Sequence, residues 1–324
     1  MNCFSKGHMS LQATLNPDLL RKRLLTALAA NREPGFHFPG YFLDLTWPHI
    51  GTQSVEQAMN AGPHCVDREG VVIPAALAVV VDGALATAPR LVIEPGARLA
   101  TVHLDMQYTG HEARGALNMQ AALEGFFAGD AVRQSISRGV LTSDGQPVCY
   151  ATGTFVLLPP PAGVKLGPLP WQRQGVAPPA PLEERALEVG ERSVLRAAQA
   201  ALAATDEEHA FIERFWGIQP KPAAAGATCR VKIGPQIGNR VGHVQGGILL
   251  GIAQATASAA VPRHPAISNV SAWYISPGHG KSLSVRSKVL HAGRSFAVVR
   301  TEIKNSDGTR VLEAVSNHAA RRSS

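Results

Sequence analysis

Two segments of this 324-residue chain read as the same helix entrance, and each carries only half of a catalytic site. In the first, Ile73 and Pro74 open an apolar run that continues through Val81 to a single carboxylate, Asp82. Burial on an apolar helix raises a carboxyl's pKa and suits it as a base toward a bound water, and direct attack by the carboxylate is the other option. In the second, Asn239, Arg240 and His243 lead to Gln245, Gly246 and Gly247, and then to an apolar run with an amide, Gln254, at the acid's position. Backbone N–H groups at a helix start carry partial positive charge and suit an oxygen on which negative charge develops. Glycine there leaves room for a close approach. The acid of one segment and the donors of the other make one site.

These groups need elements to hold them. Helical spacing of Leu15, Leu19, Leu20, Leu24, Leu25 and Leu28, with Asn16-Pro17-Asp18 as a start signal, predicts a helix between Leu11 and Asn31. Phe42 to Ile50 reads as a strand. Ile73 to Ala88 reads as a helix, with Pro74 in its first turn and Pro89 beyond its end. Strands are expected at Ala100 to Tyr108, Gly115 to Phe127, Ala131 to Thr142 and Pro147 to Leu158, the last two joined by a turn at Ser143-Asp144-Gly145. The Pro-rich stretch 159–181 reads as a linker.

The same order then returns. A helical stretch from Glu183 to about Trp216 precedes a strand at Ala227 to Ile233, the polar loop, a helix at Gly247 to Ala260, and strands near Ile267 to Ile275, Ser282 to His291 and Ser295 to Lys304. Ser306-Asp307-Gly308 matches Ser143-Asp144-Gly145, Ala292-Gly293-Arg294 matches Ala128-Gly129-Asp130, and Trp273-Tyr274 matches Gln107-Tyr108. A near-constant offset over several elements marks an internal repeat. The expected division is a helical extension at 1–40, a first domain at 41–158, the linker at 159–181, and a second domain at 182–324 that begins with a helical segment.

Composition bounds the reading. With 45% hydrophobic residues the chain can bury a large core. Cys3, Cys65, Cys149 and Cys229 lie far apart with no paired spacing, against a disulfide framework or a zinc ribbon and in favour of the cytoplasm. No leader and no membrane span are expected. The net charge of +7 falls in the second half, where 18 Lys and Arg face 11 Asp and Glu from Glu183 onward. Such a surface attracts anions. Scattered basic residues and few aromatics argue against nucleic acid, leaving a phosphate-bearing small molecule. His103 and Asp105 share a strand face without a third ligand of defined spacing, so no metal and no cofactor are expected. His243 reads as a loop histidine, and His64-Cys65 as adjacent side chains that point apart.

A strand, a polar loop, one apolar helix and a run of antiparallel strands, given twice, resembles a tandem hotdog protein. The implied fold is α+β, each domain a curved antiparallel sheet wrapped around a central helix. The second half resembles acyl-CoA thioesterases of the phenylacetate-pathway (PaaI-like) type, whose pattern is Asn, five residues, His-Gly-Gly and a later acid. Asn239, Gly246 and Gly247 match, Gln245 stands for the His, and Gln254 replaces the acid. In the first half Asp82 matches the acid, while Asp67, Ile73 and Pro74-Ala75 replace Asn, His and Gly-Gly.

The resemblance implies sites shared between two hotdog units, one working (Asp82 with Asn239, Gln245 and Gly246) and one dead (Asp67, Ile73 and Pro74 with Gln254). It implies that Asn239 holds water or thioester, that Gln245 donates a hydrogen bond, and that Thr101 orients the water. Gly247, Arg240 and Arg294 are the substrate-binding candidates, Arg294 for coenzyme phosphate, with Lys288 and Arg286 behind them. The function implied is hydrolysis of an acyl-CoA thioester, and a further homo-oligomer of tandem units fits the family. The rival is a non-catalytic acyl-CoA-binding or sensing module. A hydratase ranks third, since no Asp and His share a loop as its motif requires.

Overall fold

A computed structural model of the chain describes residues 15–33, 36–94, 96–128, 133–159, 167–173, 179–204 and 209–320. The elements in order are α1 (Pro17–Asn31), α2 (Phe38–Phe42), β1 (Thr46–Ile50), β2 (Ser54–Asn60), α3 (Pro74–Arg90), β3 (Arg98–Tyr108), β4 (Ala116–Ala128), β5 (Arg133–Ser143) and β6 (Gln146–Leu158). Then come α4 (Val189–Ala203), α5 (Phe211–Trp216), β7 (Lys221–Ala223), β8 (Gly226–Lys232), α6 (Gly246–Ala260), β9 (Ala266–Tyr274), β10 (Ser282–Ala292), β11 (Phe296–Asn305) and β12 (Arg310–Ala319).

All the strands form one antiparallel sheet in the order β1-β2-β4-β5-β6-β3-β9-β12-β11-β10-β8-β7. Read outward from the β3–β9 junction the two arms match strand for strand, which is the repeat expressed in space. At the junction Asp105 pairs with Ser271, flanked by Leu104 with Ala272 and Met106 with Val270. The two residues of the central pair are repeat equivalents at the spacing of Tyr108 and Tyr274, so a pseudo-twofold axis passes between them.

Each arm curves around one apolar helix. Val79, Val80, Val81 and Leu85 of α3 and Ile248, Leu250 and Ile252 of α6 are buried in a core that runs through both arms. The two helices also press on each other. A Cβ at Gly247 would lie 2.3 Å from the Ala78 carbonyl oxygen, and one at Gly251 would lie 2.1 Å from Ala75 Cα. Sequence numbers that rise along α6 while falling along α3 show that the helices cross antiparallel. The start of α6 therefore lies beside the middle of α3.

Several expectations need correction. Pro89 lies within the last turn of α3, where only a terminal intrahelical bond is lost, and the helix runs to Arg90. The strand expected at Phe42 to Ile50 begins at Thr46, because Phe38–Phe42 is a short helix that buries Phe38 and Phe42. The single helical stretch from Glu183 to Trp216 is a 3-10 turn, α4 and α5. Strand β2 escapes the hydrophobic pattern because polar Gln57 is fully buried between Val55 and Met59, directed at the Val80 carbonyl. Part of the Pro-rich stretch is structured: Trp171, in a 3-10 turn, packs against Trp47 with ring centroids 5.2 Å apart and the planes tilted by 50°. Cys3 and the Gly129-Asp130 part of the repeat anchor lie outside the described residues.

Candidate functional site

Asp82 sits midway along α3, buried at 6% exposure, and faces the first turn of α6. Its Oδ1 accepts from Thr101 Oγ1 at 2.9 Å and its Oδ2 from Gln245 Nε2 at 2.8 Å. The Gly247 N–H faces the same carboxylate. Burial pushes the Asp82 pKa up to about 6, against the pull of Thr101, the Gly247 N–H, the Arg90 charge and Gln245. The acid is thereby poised to exchange a proton near neutral pH.

Gln245 is the N-cap of α6. Its Oε1 accepts from the Ile248 N–H at 2.9 Å, so the amide is fixed with its NH2 toward Asp82. The preceding loop is held by Asn239, whose Oδ1 accepts from Val241 N and His243 N, both at 3.0 Å. Asn239 and Gly246 line a cavity of about 320 Å3 with Asp82, Thr101 and Gln245. A Cβ at Gly246 would lie 2.8 Å from Asp82 Oδ2 and 3.1 Å from Thr101 Oγ1, so this glycine makes room at the acid itself.

The reciprocal place holds no such group. Asp67 Oδ1 accepts from Glu69 N and Val71 N at 2.9 Å, the same loop-holding role as Asn239. Ile73 is buried, and the fully buried Gln254 gives its Nε2 hydrogen to Tyr108 OH at 2.6 Å.

The comparisons with known proteins agree with this frame. Residues 235–319, from the polar loop to the last strand, match the family described as acyl-CoA thioesterase N-terminal domain. That segment, about a quarter of the chain, is similar to an acyl-CoA thioesterase domain. Solved structures extend the likeness to the whole tandem. A putative thioesterase from Novosphingobium aromaticivorans aligns over 85% of this chain and 98% of its own at 12% identity, TM-score 0.53. The 12:0-ACP thioesterase of Umbellularia californica aligns over 83% and 95% at 9% identity, TM-score 0.52. A putative oleoyl thioesterase from Lactobacillus plantarum aligns over 83% and 96% at 13% identity, TM-score 0.50. At these identities the structures speak for the fold alone, a double hotdog. No curated protein matches the chain. No described helix is long and apolar enough to cross a membrane.

Among the binding candidates, Arg240 lines the cavity with Asn239. Gly247 does not: it is packed on the α3 backbone, and only its N–H reaches the acid. Arg294 is exposed in the β10–β11 turn, next to Gly293, whose carbonyl meets His264 Nε2 at 2.9 Å just past the end of α6. The 15 residues of α6 separate that end from Gln245 by about 22 Å, so Arg294 stands far from Asp82. Arg286 and Lys288 are exposed on β10 and are not among the cavity-lining residues.

Four lining residues were not foreseen. Tyr274 OH donates to the Gly246 carbonyl at 2.9 Å and steadies the glycine turn; its alignment with Tyr108 was visible but its direction was not. Arg90 and Arg98 bring positive charge from the first half, which corrects the expectation that the basic side of the site lies only in the second. His37, its Nδ1 accepting from Gly40 N at 3.0 Å, is buried beside Arg90 and Arg240, and burial with their charge lowers its pKa to about 3.

Proposed function

We propose that the chain hydrolyses an acyl-CoA thioester at one site between its halves, with Asp82 as general base. The observation that carries this reading is a sealed carboxylate of raised pKa held at the glycine entrance of α6 by a residue from the other half. A water beside Asp82 gives its proton to the carboxylate as its oxygen bonds to the thioester carbon. Negative charge moves to the carbonyl oxygen, which the Gly246 N–H at the positive end of α6 receives. When the C–S bond breaks, the electron pair leaves on sulfur and the proton held by Asp82 returns to it. The products are a carboxylic acid and the free thiol. Thr101 and Gln245 fix the carboxylate's orientation, and Asn239 fixes the loop that carries Gln245.

Coenzyme A as the carrier rests on the family description of residues 235–319. We place the boundary between the two units within 159–181 and the protein in a reducing compartment, since Cys65, Cys149 and Cys229 are all free and buried. One observation favours a binding module instead: Thr101 and Gln245 already occupy two of the carboxylate's roughly four acceptor positions. A panel of acyl-CoA esters from acetyl to long-chain and aryl, read by release of free CoA, decides between them. Turnover that Asp82→Asn abolishes supports the hydrolase; tight binding with no CoA release supports the module.

A further inference from the structure

The cavity that ends on Asp82 has a second pole. Arg90, Arg98 and Arg240 all line it, and among the described residues Asp82 is the only carboxylate that does so. Each arginine feels another: Arg240 depresses the pKa of Arg90, and Arg98 that of Arg240. Burial and the Arg240 charge lower Arg90 to about 9, although Asp82 pulls the other way. Arg90 Nη1 and Arg98 Nε are sealed from solvent with no acceptor. Glu94, in the adjoining cleft, is exposed and forms no ion pair with Arg90 or Arg98. Arg90 and Arg98 against the one carboxylate, Asp82, give this pole a positive excess, and their unpartnered buried donors are costly until an anion meets them.

The anion must be close to the reacting carbon. Eight residues separate Asp82 and Arg90 on one helix, a rise of about 12 Å, and helical side chains lean toward the N-terminus, so the guanidinium swings back toward the acid. A pantetheine arm places its phosphate roughly 16 Å from the sulfur when extended, about thirteen bonds away. A carboxylate a few carbons down the acyl chain fits the shorter span. Phe36, Ala86, Leu99, Leu169 and Trp171 supply apolar walls for those carbons.

We propose that Arg90, with Arg98 and Arg240, receives a carboxylate at the far end of the acyl chain, so that the substrate class is a dicarboxylic acyl thioester. This rests on the thioesterase reading above, and two measurements separate the failure of one from the failure of the other.

The first compares kcat/KM for glutaryl-CoA and adipoyl-CoA with pentanoyl-CoA and hexanoyl-CoA. A preference of about tenfold or more for the carboxylated partner is expected, falling toward unity in Arg90→Gln and in Arg98→Gln. Equal rates in the wild type, or a variant that lowers both substrates alike, overturn the proposal and assign the arginines to the coenzyme's phosphates or to packing. The second needs no turnover: the melting temperature of Asp82→Asn protein with free glutarate, adipate, hexanoate or inorganic phosphate. The diacids should raise it more than hexanoate or phosphate, and the rise should vanish when Arg90→Gln is added. Phosphate equal to the diacids overturns the proposal. Absence of CoA release from every ester defeats the hydrolase reading while the melting arm still decides the anion site.

Discussion

Gln245 joins the halves of the site through one amide: its Nε2 donates to Asp82 Oδ2 at 2.8 Å while its Oε1 accepts from Ile248 N at 2.9 Å. The same group that positions the acid also caps the helix whose first turn lines the cavity. Gln245→Ala should therefore lower kcat about 10–100-fold and cost about 1 kcal/mol of stability from the lost cap, measured by steady-state kinetics and denaturant unfolding. Gln245→Glu keeps a cap acceptor but sets a second carboxylate against Asp82. It should raise the acid's pKa and move the rising limb of the pH–rate profile to higher pH.

The pH dependence follows from burial. With Asp82 at about 6, kcat/KM should rise through pH 6 to a plateau above it, since the base must be ionised. Stability runs the other way. The unfolded carboxyl titrates near 3.9, so between roughly pH 4 and 6 the folded state holds a proton that the unfolded state has released. That contribution is complete below pH 4 and is lost as pH rises through 6. A shift of about 2 units corresponds to roughly 3 kcal/mol, and Asp82→Asn should recover up to that much at pH 7.5, measured by urea unfolding at both pH values.

The two halves should answer differently to matched substitutions. Asp82→Ala should abolish hydrolysis. Gln254→Ala should leave kcat almost unchanged while lowering the melting temperature, because it empties a fully buried position and frees Tyr108 OH from its partner. Equal loss of kcat from both would defeat the one-site assignment.

Two glycines of α6 separate chemistry from packing. Gly246→Ala would push a methyl to 2.8 Å from Asp82 Oδ2, and kcat should fall with a small change in Tm. Gly251→Ala would drive a methyl to 2.1 Å from Ala75 Cα on the backbone of α3, which cannot retreat as a side-chain tip does. It should lower the melting temperature by several degrees or prevent folding, read by circular dichroism.

Periodicity sufficed where a single pattern governed a whole element. The apolar runs around Asp82 and after Gly247 gave both central helices, and the spaced Ser-Asp-Gly turns gave the repeat that the sheet displays around the Asp105–Ser271 pair. It failed where burial was polar or the chain short, as at Gln57 in β2 and in α2. The cross-half meeting of Asp82 with Gln245 was legible because each segment lacked what the other kept. The arginines were not, since Arg90 is an ordinary helix-end cation in the sequence and becomes a cavity residue only through the crossing of α3 and α6. Arg294 misled for the complementary reason: its alignment fixes its turn, but that turn lies at the opposite end of α6.

The covalent link between the two halves changes what mutation can do. In a dimer of identical subunits a substitution falls on both shared sites at once, so neither can drift without the other. Here Gln254 and Tyr108 are free to become an internal hydrogen bond while Asp82 and Gln245 keep a charge. The tandem therefore lets the two equivalent places in one chain diverge, and on the proposed reading the stoichiometry of one site per chain is written into the connection rather than into the assembly.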